Sequence, residues 1–153
     1  MKDPEDTEVQ NLSQSSSPTD LLFGPLQSCL VLIWLGLYRF MTEEASILAA
    51  AMGLGDTVAP MIGKRFGRHV YRMPLASQKT MEGTIVGVFL GTVCGCYLYL
   101  YLLGIPLLPL RMILAYGGIA AMVEGTAVSK LDNLVVPMAL HFSIGKVQEW
   151  LPA

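Results

Sequence analysis

From Thr84 to Leu110 the chain carries no charged side chain. Up to the interruptions at Gly104, Pro106 and Pro109 this run is long enough, at about 1.5 Å per helical residue, to cross about 30 Å of hydrocarbon. The span itself is expected to end near Leu103. Leu21 to Tyr38 is a second charge-free run that just reaches this length, with Trp34 and Tyr38 suited to a membrane interface. Ala45 to Ile62 is apolar except for Asp56, and Met112 to Val128 except for Glu124. Leu134 to Val147 is a shorter fifth segment, which a re-entrant or tilted helix also fits. With 53% apolar and only 14% charged residues, the chain lies outside the usual globular range. The expected fold is all-α: a polytopic transmembrane helical bundle with about five spans.

Residues 1–19 are polar, carry Pro4, Pro18 and a run of serines, and have too little apolar surface to offset the entropy of ordering. A disordered tail is expected there, followed by one transmembrane domain over 20–153. The tail is acidic and lacks the features of a signal peptide, so the first apolar run reads as an uncleaved anchor. The net charge of -2 divides into -4 over the region up to Asp20 and +2 over the remainder, so the acidic balance belongs to the tail. Cys29, Cys94 and Cys96 sit in apolar runs, where thiols act as small hydrophobes, and their spacing gives no disulfide framework or zinc site. Lys64, Arg65, Arg68, Arg72 and Lys79 occupy a loop without acids, which the positive-inside rule places in the cytoplasm. Counting spans outward from it brings Asp56, Lys79, Glu82, Glu124, Lys130, Asp132 and Asn133 to one membrane face.

Asp56 is the sharpest chemical signal, because an acid inside an apolar helix is costly and tends to face a bundle interior or a wet cavity. Pro60, four residues on, has no N–H and frees the Asp56 carbonyl from the helical ladder. A carboxylate and a freed carbonyl at one position are hard oxygen ligands of the kind magnesium takes; a helix–helix polar contact or a simple kink is the plainer alternative. Gly55, Ala59 and Gly63, the ridge Gly83, Gly87, Gly91 and Gly95, and the row Gly117, Ala121 and Glu124 all repeat at helical spacing. Small residues so placed let helices approach closely, and they put Asp56 and Glu124 on packed faces. Gly63 and Gly67 flank Lys64 and Arg65, which permits a tight backbone turn around an anion. Lys79 and Thr80 are expected at the N-terminal end of the third helix, where free N–H groups favour phosphate.

Glu82 in a first helical turn and Asp132-Asn133 before an apolar run also have structural readings, as a dipole-favoured acid and a helix cap. His69 reads as a solvated loop residue and His141 as a helix residue near the opposite interface. No Walker P-loop, Ser/His/Asp order or H-E-x-x-H is present, and nothing points to nucleic acid.

Gly55-Asp56-Thr57, Gly63-Lys64-Arg65-Phe66-Gly67, Lys79-Thr80-Met81-Glu82-Gly83 and Asp132-Asn133-Leu134, with Pro137 following, give the chain its family likeness. In this order they resemble the dolichol kinase and phytol kinase family of polyprenol kinases, itself similar to the CDP-diacylglycerol synthases. The resemblance covers roughly Leu48 to Pro137. It implies a multi-spanning enzyme of the lipid bilayer that phosphorylates an isoprenoid alcohol with CTP and a divalent metal such as Mg2+, in the endoplasmic reticulum membrane for a dolichol kinase-like protein. Position by position it implies Asp56 as a metal or catalytic carboxylate, and Lys79 and Thr80 as phosphate contacts beside the basic Lys64 and Arg65. Glu82 belongs to the same motif, Glu124 matches an acid found shortly before the D-N motif, and both are candidate metal ligands. Asp132 and Asn133 have polar roles in the pocket, and either Asp56 or Asp132 accepts the hydroxyl proton. The rival expectations are a cytidylyltransferase making a CDP-lipid, and a shortened non-catalytic member acting in a homo- or hetero-oligomer. An ion transporter would use the same acids without explaining Lys79-Thr80.

Overall fold

The computed structural model describes residues 18–72, 78–127 and 131–151. The expected disordered tail lies outside these residues except at its last two positions, which are helical, and so does Lys130. Five helices make up most of the fold: α1 (Pro18–Tyr38), α2 (Glu43–Phe66), α3 (Glu82–Leu102), α4 (Leu110–Thr126) and α5 (Asp132–Trp150). Between α2 and α3 the strands β1 (Val70–Arg72) and β2 (Gln78–Thr80) pair antiparallel, Tyr71 opposite Lys79. The purely α expectation is corrected by this hairpin. Val70 and Tyr71 favour extended backbone, and the pairing supplies partners for N–H and carbonyl groups that an open loop would leave to water.

Helix ends follow from local chemistry. Thr42 caps α2, its hydroxyl accepting from the Ala45 N–H at 3.1 Å. Gly104, at φ +66, closes α3: its N–H donates to the Tyr101 carbonyl (3.2 Å) and the Ile105 N–H to that of Leu100 (3.0 Å), while Ile105 packs on the core. That is a Schellman ending, for which glycine is favoured because the left-handed backbone strains any residue bearing a Cβ. Pro109 then precedes α4.

The glycine ridge of α3 lies directly on the small-residue face of α2. A Cβ at Gly91 would stand 2.5 Å from the Leu54 carbonyl oxygen, one at Gly87 2.6 Å from the Ala59 Cα, and one at Gly95 2.9 Å from the Ala50 Cβ. Backbones this close are held by van der Waals contact that needs no water to drive it. Ile47 and Leu48 of α2, Leu100 of α3, Ile113 and Tyr116 of α4 and Leu140 of α5 complete a fully buried core. Outside it, Leu37, Tyr101, Met122 and Phe142 are each at least 70% exposed. Among the described residues two helices, Glu43–Phe66 and Glu82–Leu102, are long and apolar enough to cross a membrane.

Two π-helical turns were not foreseen: Ala51–Gly55 within α2 and Glu82–Val88 at the start of α3. Such insertions are rare and concentrate at functional sites. The first ends immediately before Asp56, and the second contains Gly83 and Thr84, so both widen the helices where the polar residues gather.

Candidate functional site

At one end of the bundle, α2, β2, α3, α4 and α5 enclose a cavity of about 390 Å³. Asp56, Pro60, Gly63 and Lys64 come from α2, Lys79 and Thr80 from β2, Gly83 and Thr84 from α3, Glu124 from α4, and Asp132 and Asn133 from α5. Seven of the candidate residues thus share one space: Asp56, Lys64, Lys79, Thr80, Glu124, Asp132 and Asn133. The close approach of α2 and α3 makes this possible. A Cβ at Gly63 would come 2.7 Å from Thr80 Oγ1, and one at Gly83 would come 2.8 Å from the Ala59 carbonyl oxygen.

Lys79 is the centre of the electrostatics. Its ammonium donates to Glu124 Oε1 at 2.5 Å, to Asp132 Oδ2 at 3.2 Å and to the Glu124 carbonyl at 3.2 Å. Burial pushes its pKa down, but the adjacent Glu124 and Asp132 carboxylates more than reverse this, so it stands above the ordinary 10.5. Asp132 Oδ1 in turn accepts the Asn133 N–H at 3.0 Å, and the Asn133 amide donates to the Gly24 carbonyl at 3.3 Å, tying α1 to the rim. The N-cap position of α5 is Leu131, with no side-chain cap, so Asp132 and Asn133 do not act as the cap.

Two carboxylate positions lack such satisfaction. Glu124, only 9% exposed, leaves Oε2 buried without a hydrogen-bond partner, and the half-buried carboxylate of Asp56 has no hydrogen-bond donor among the described residues. A buried carboxylate oxygen without a donor is costly unless a cation or proton reaches it. Asp56, Glu124 and Asp132 are hard oxygen donors, so the residues present fit a divalent cation such as Mg2+ in chemistry. Their arrangement does not yet enclose one: among the described residues no three acidic, histidine or cysteine groups converge to hold an ion, and Lys79 bridges Glu124 and Asp132.

Three expectations need correction. Lys79 and Thr80 lie in β2 rather than at a helix N-terminus, and α3 begins only at Glu82. Glu82 does not line the cavity; its carboxylate accepts from His69 Nδ1 (2.7 Å) and from the His69 N–H (3.3 Å), closing the neck of the hairpin where the Met81 N–H meets the His69 carbonyl (2.9 Å). His69, read as merely solvated, therefore has a partner. Arg65 also faces away, its guanidinium 5.8 Å from the Phe66 ring, because α2 continues through Gly63 to Phe66 and no turn forms around an anion. One helical step separates Lys64, in the cavity, from Arg65, outside it.

Tyr71 was missed by the sequence reading. Its hydroxyl lies 3.0 Å from Thr84 Oγ1 and 3.4 Å from the Gly125 carbonyl, fastening the hairpin to α3 and α4 with Lys79 directly opposite on β2. The β-favouring pair Val70-Tyr71 was the available signal for a strand, and the basic charge around it masked it. A second cleft of about 340 Å³, between α1, α2 and α5, is lined almost wholly by apolar side chains including Leu30, Trp34, Pro137 and Phe142.

Compared with known protein families, curated proteins and solved structures, the chain matches none.

Proposed function

We propose that this chain is a membrane-embedded lipid-alcohol kinase, transferring a phosphoryl group from CTP to the hydroxyl of a polyisoprenoid alcohol such as dolichol to give the polyprenyl monophosphate. The observation that carries the reading is the single cavity in which Asp56, Glu124 and Asp132 face Lys64 and Lys79, five charged groups delivered from four separate elements. Phosphoryl transfer asks a protein mainly to position its reactants and to neutralise spread negative charge, and this set of groups suits both tasks. The motifs that resemble the polyprenol kinases supply most of these residues, which supports the same activity. A membrane setting is supported by the two long apolar helices and by the large apolar side chains exposed on their outer faces. Five spans, a cytoplasmic basic hairpin and the endoplasmic reticulum are part of the proposal.

In this mechanism Lys64 neutralises phosphate oxygens entering from the cytoplasm. Asp56, the one acid of the three whose carboxylate has no hydrogen-bond or ion-pair partner among the described residues, accepts the alcohol proton. The alcohol oxygen bonds to the γ-phosphorus, the bond to the β-phosphate oxygen breaks, and CDP leaves. A divalent metal, when bound, would add charge neutralisation on the phosphates, held by carboxylates of the cavity. Membranes containing the chain should move label from γ-labelled CTP into an isoprenoid alcohol, and those containing Asp56→Asn should not. Label carried from the α position instead would establish the cytidylyltransferase, and absence of both with every alcohol of a panel would overturn the proposal.

A further inference from the structure

Lys79 is committed in a way that a phosphate-binding lysine is not. Its ammonium has three N–H donors, and three oxygens take them: Glu124 Oε1, Asp132 Oδ2 and the Glu124 carbonyl. Its side chain is 10% exposed. The acids around it nevertheless remain short of cations, since Glu124 Oε2 is buried without a partner.

We propose that Lys79 is a built-in exchangeable counter-ion, which holds Glu124 and Asp132 until a divalent cation carrying phosphate displaces it. The cation takes the carboxylate oxygens that Lys79 releases, together with Glu124 Oε2, and the freed ammonium takes a phosphate oxygen of the incoming ligand. Only the side chain has to move. The strand beneath it is fastened by Tyr71 to Thr84 and by Glu82 to His69, whereas the four-carbon stem of lysine is flexible. Carboxylates prefer a divalent ion with oxygen ligands, and an ammonium released into a buried site needs an anion at once. Metal and phosphate therefore bind together more tightly than either binds alone, and a free cation displaces Lys79 only at a higher concentration, in the millimolar range. This inference rests on the kinase reading for its ligand, but not for its test.

The test uses the full chain in detergent micelles with Mn2+ as probe, its binding followed by the electron paramagnetic resonance of the free ion. Losing one hydrogen-bonded charged competitor should tighten Mn2+ binding by Lys79→Gln about tenfold or more relative to the unaltered chain. Lys79→Arg, which keeps the charge, should bind as weakly as the unaltered chain. If Lys79→Gln binds no tighter, the exchange is wrong. A second readout needs no variant: acetylation of the Lys79 amine, measured by peptide mass spectrometry with Lys64 as reference. It should rise several-fold in millimolar Mn2+ and stay constant in Na+ at equal ionic strength. Labelling unchanged by Mn2+, or raised equally by Na+, overturns the proposal. Neither measurement requires turnover, so a chain that phosphorylates no lipid would defeat the kinase reading while leaving this one to its own result.

Discussion

The two ends of the helical bundle both set an acid against a base, and they are built differently. Near the start of α2, Glu44 uses both carboxylate oxygens: Oε1 pairs with His141 of α5, and Oε2 lies 3.5 Å from Arg39 Nε. Trp34 of α1 stands edge-on to His141, with ring centroids 5.6 Å apart. One acid meets two bases, the Trp34 and Phe142 rings pack against His141, and three segments of chain are pinned together. At the other end three acids meet two lysines around a cavity, and one buried oxygen is left without a partner. The satisfied cluster is a staple, whereas the under-satisfied one has the surplus negative charge and the space that a ligand needs.

Substitutions that break this contrast should follow it in size. Asp56→Asn is expected to lower lipid phosphorylation by roughly a hundredfold or more, the loss typical of a general base, with helical content by circular dichroism unchanged. Lys79→Ala strands Glu124 and Asp132. It should cost roughly 1–3 kcal/mol in denaturant unfolding, less than the ~3–5 kcal/mol of a fully enclosed pair because the cavity admits water, and Mg2+ should restore part of the loss. Gly83→Ala and Gly95→Ala both force α3 away from α2 and are each expected to cost about 1–3 kcal/mol. Only Gly83→Ala should also depress kcat/KM, since Gly83 alone of the two lines the cavity.

At the stapled end, Glu44→Gln should reduce stability by about 1 kcal/mol and leave kcat/KM within roughly twofold of native. The smallest effect concerns pH. Because the Lys79 pKa is raised on folding, its ion pairs contribute fully below pH 10.5, and that contribution is lost as the pH rises through the folded value. An unfolding series extended above pH 10.5 should show an alkaline drop that Lys79→Gln lacks.

Much of this architecture was legible from residues alone. The apolar runs located the helices to within a few residues. Gly104 with the prolines after it marked the end of α3, and the four-residue glycine spacing foretold the face on which α3 meets α2. Counting spans also gathered most of the acids and lysines at one end. The site was less legible in detail. Glu82 and Arg65 belong to the same short motifs as Lys79 and Lys64, yet their side chains leave the cavity, one for His69 and the other for the Phe66 ring.

What the sequence by itself determined was the set of helices, their close-packing faces and the stock of charged groups available at each end. Hydrophobic run length and helical period are local properties, and each is written in consecutive residues. Only the tertiary structure decided the partners. Lys79 meets Glu124 and Asp132 across 45 and 53 positions of chain, and Tyr71 reaches Gly125 across 54. Such pairings depend on which elements become neighbours at the cavity and on where the π-helical turns shift the register, and no local pattern of side chains encodes either.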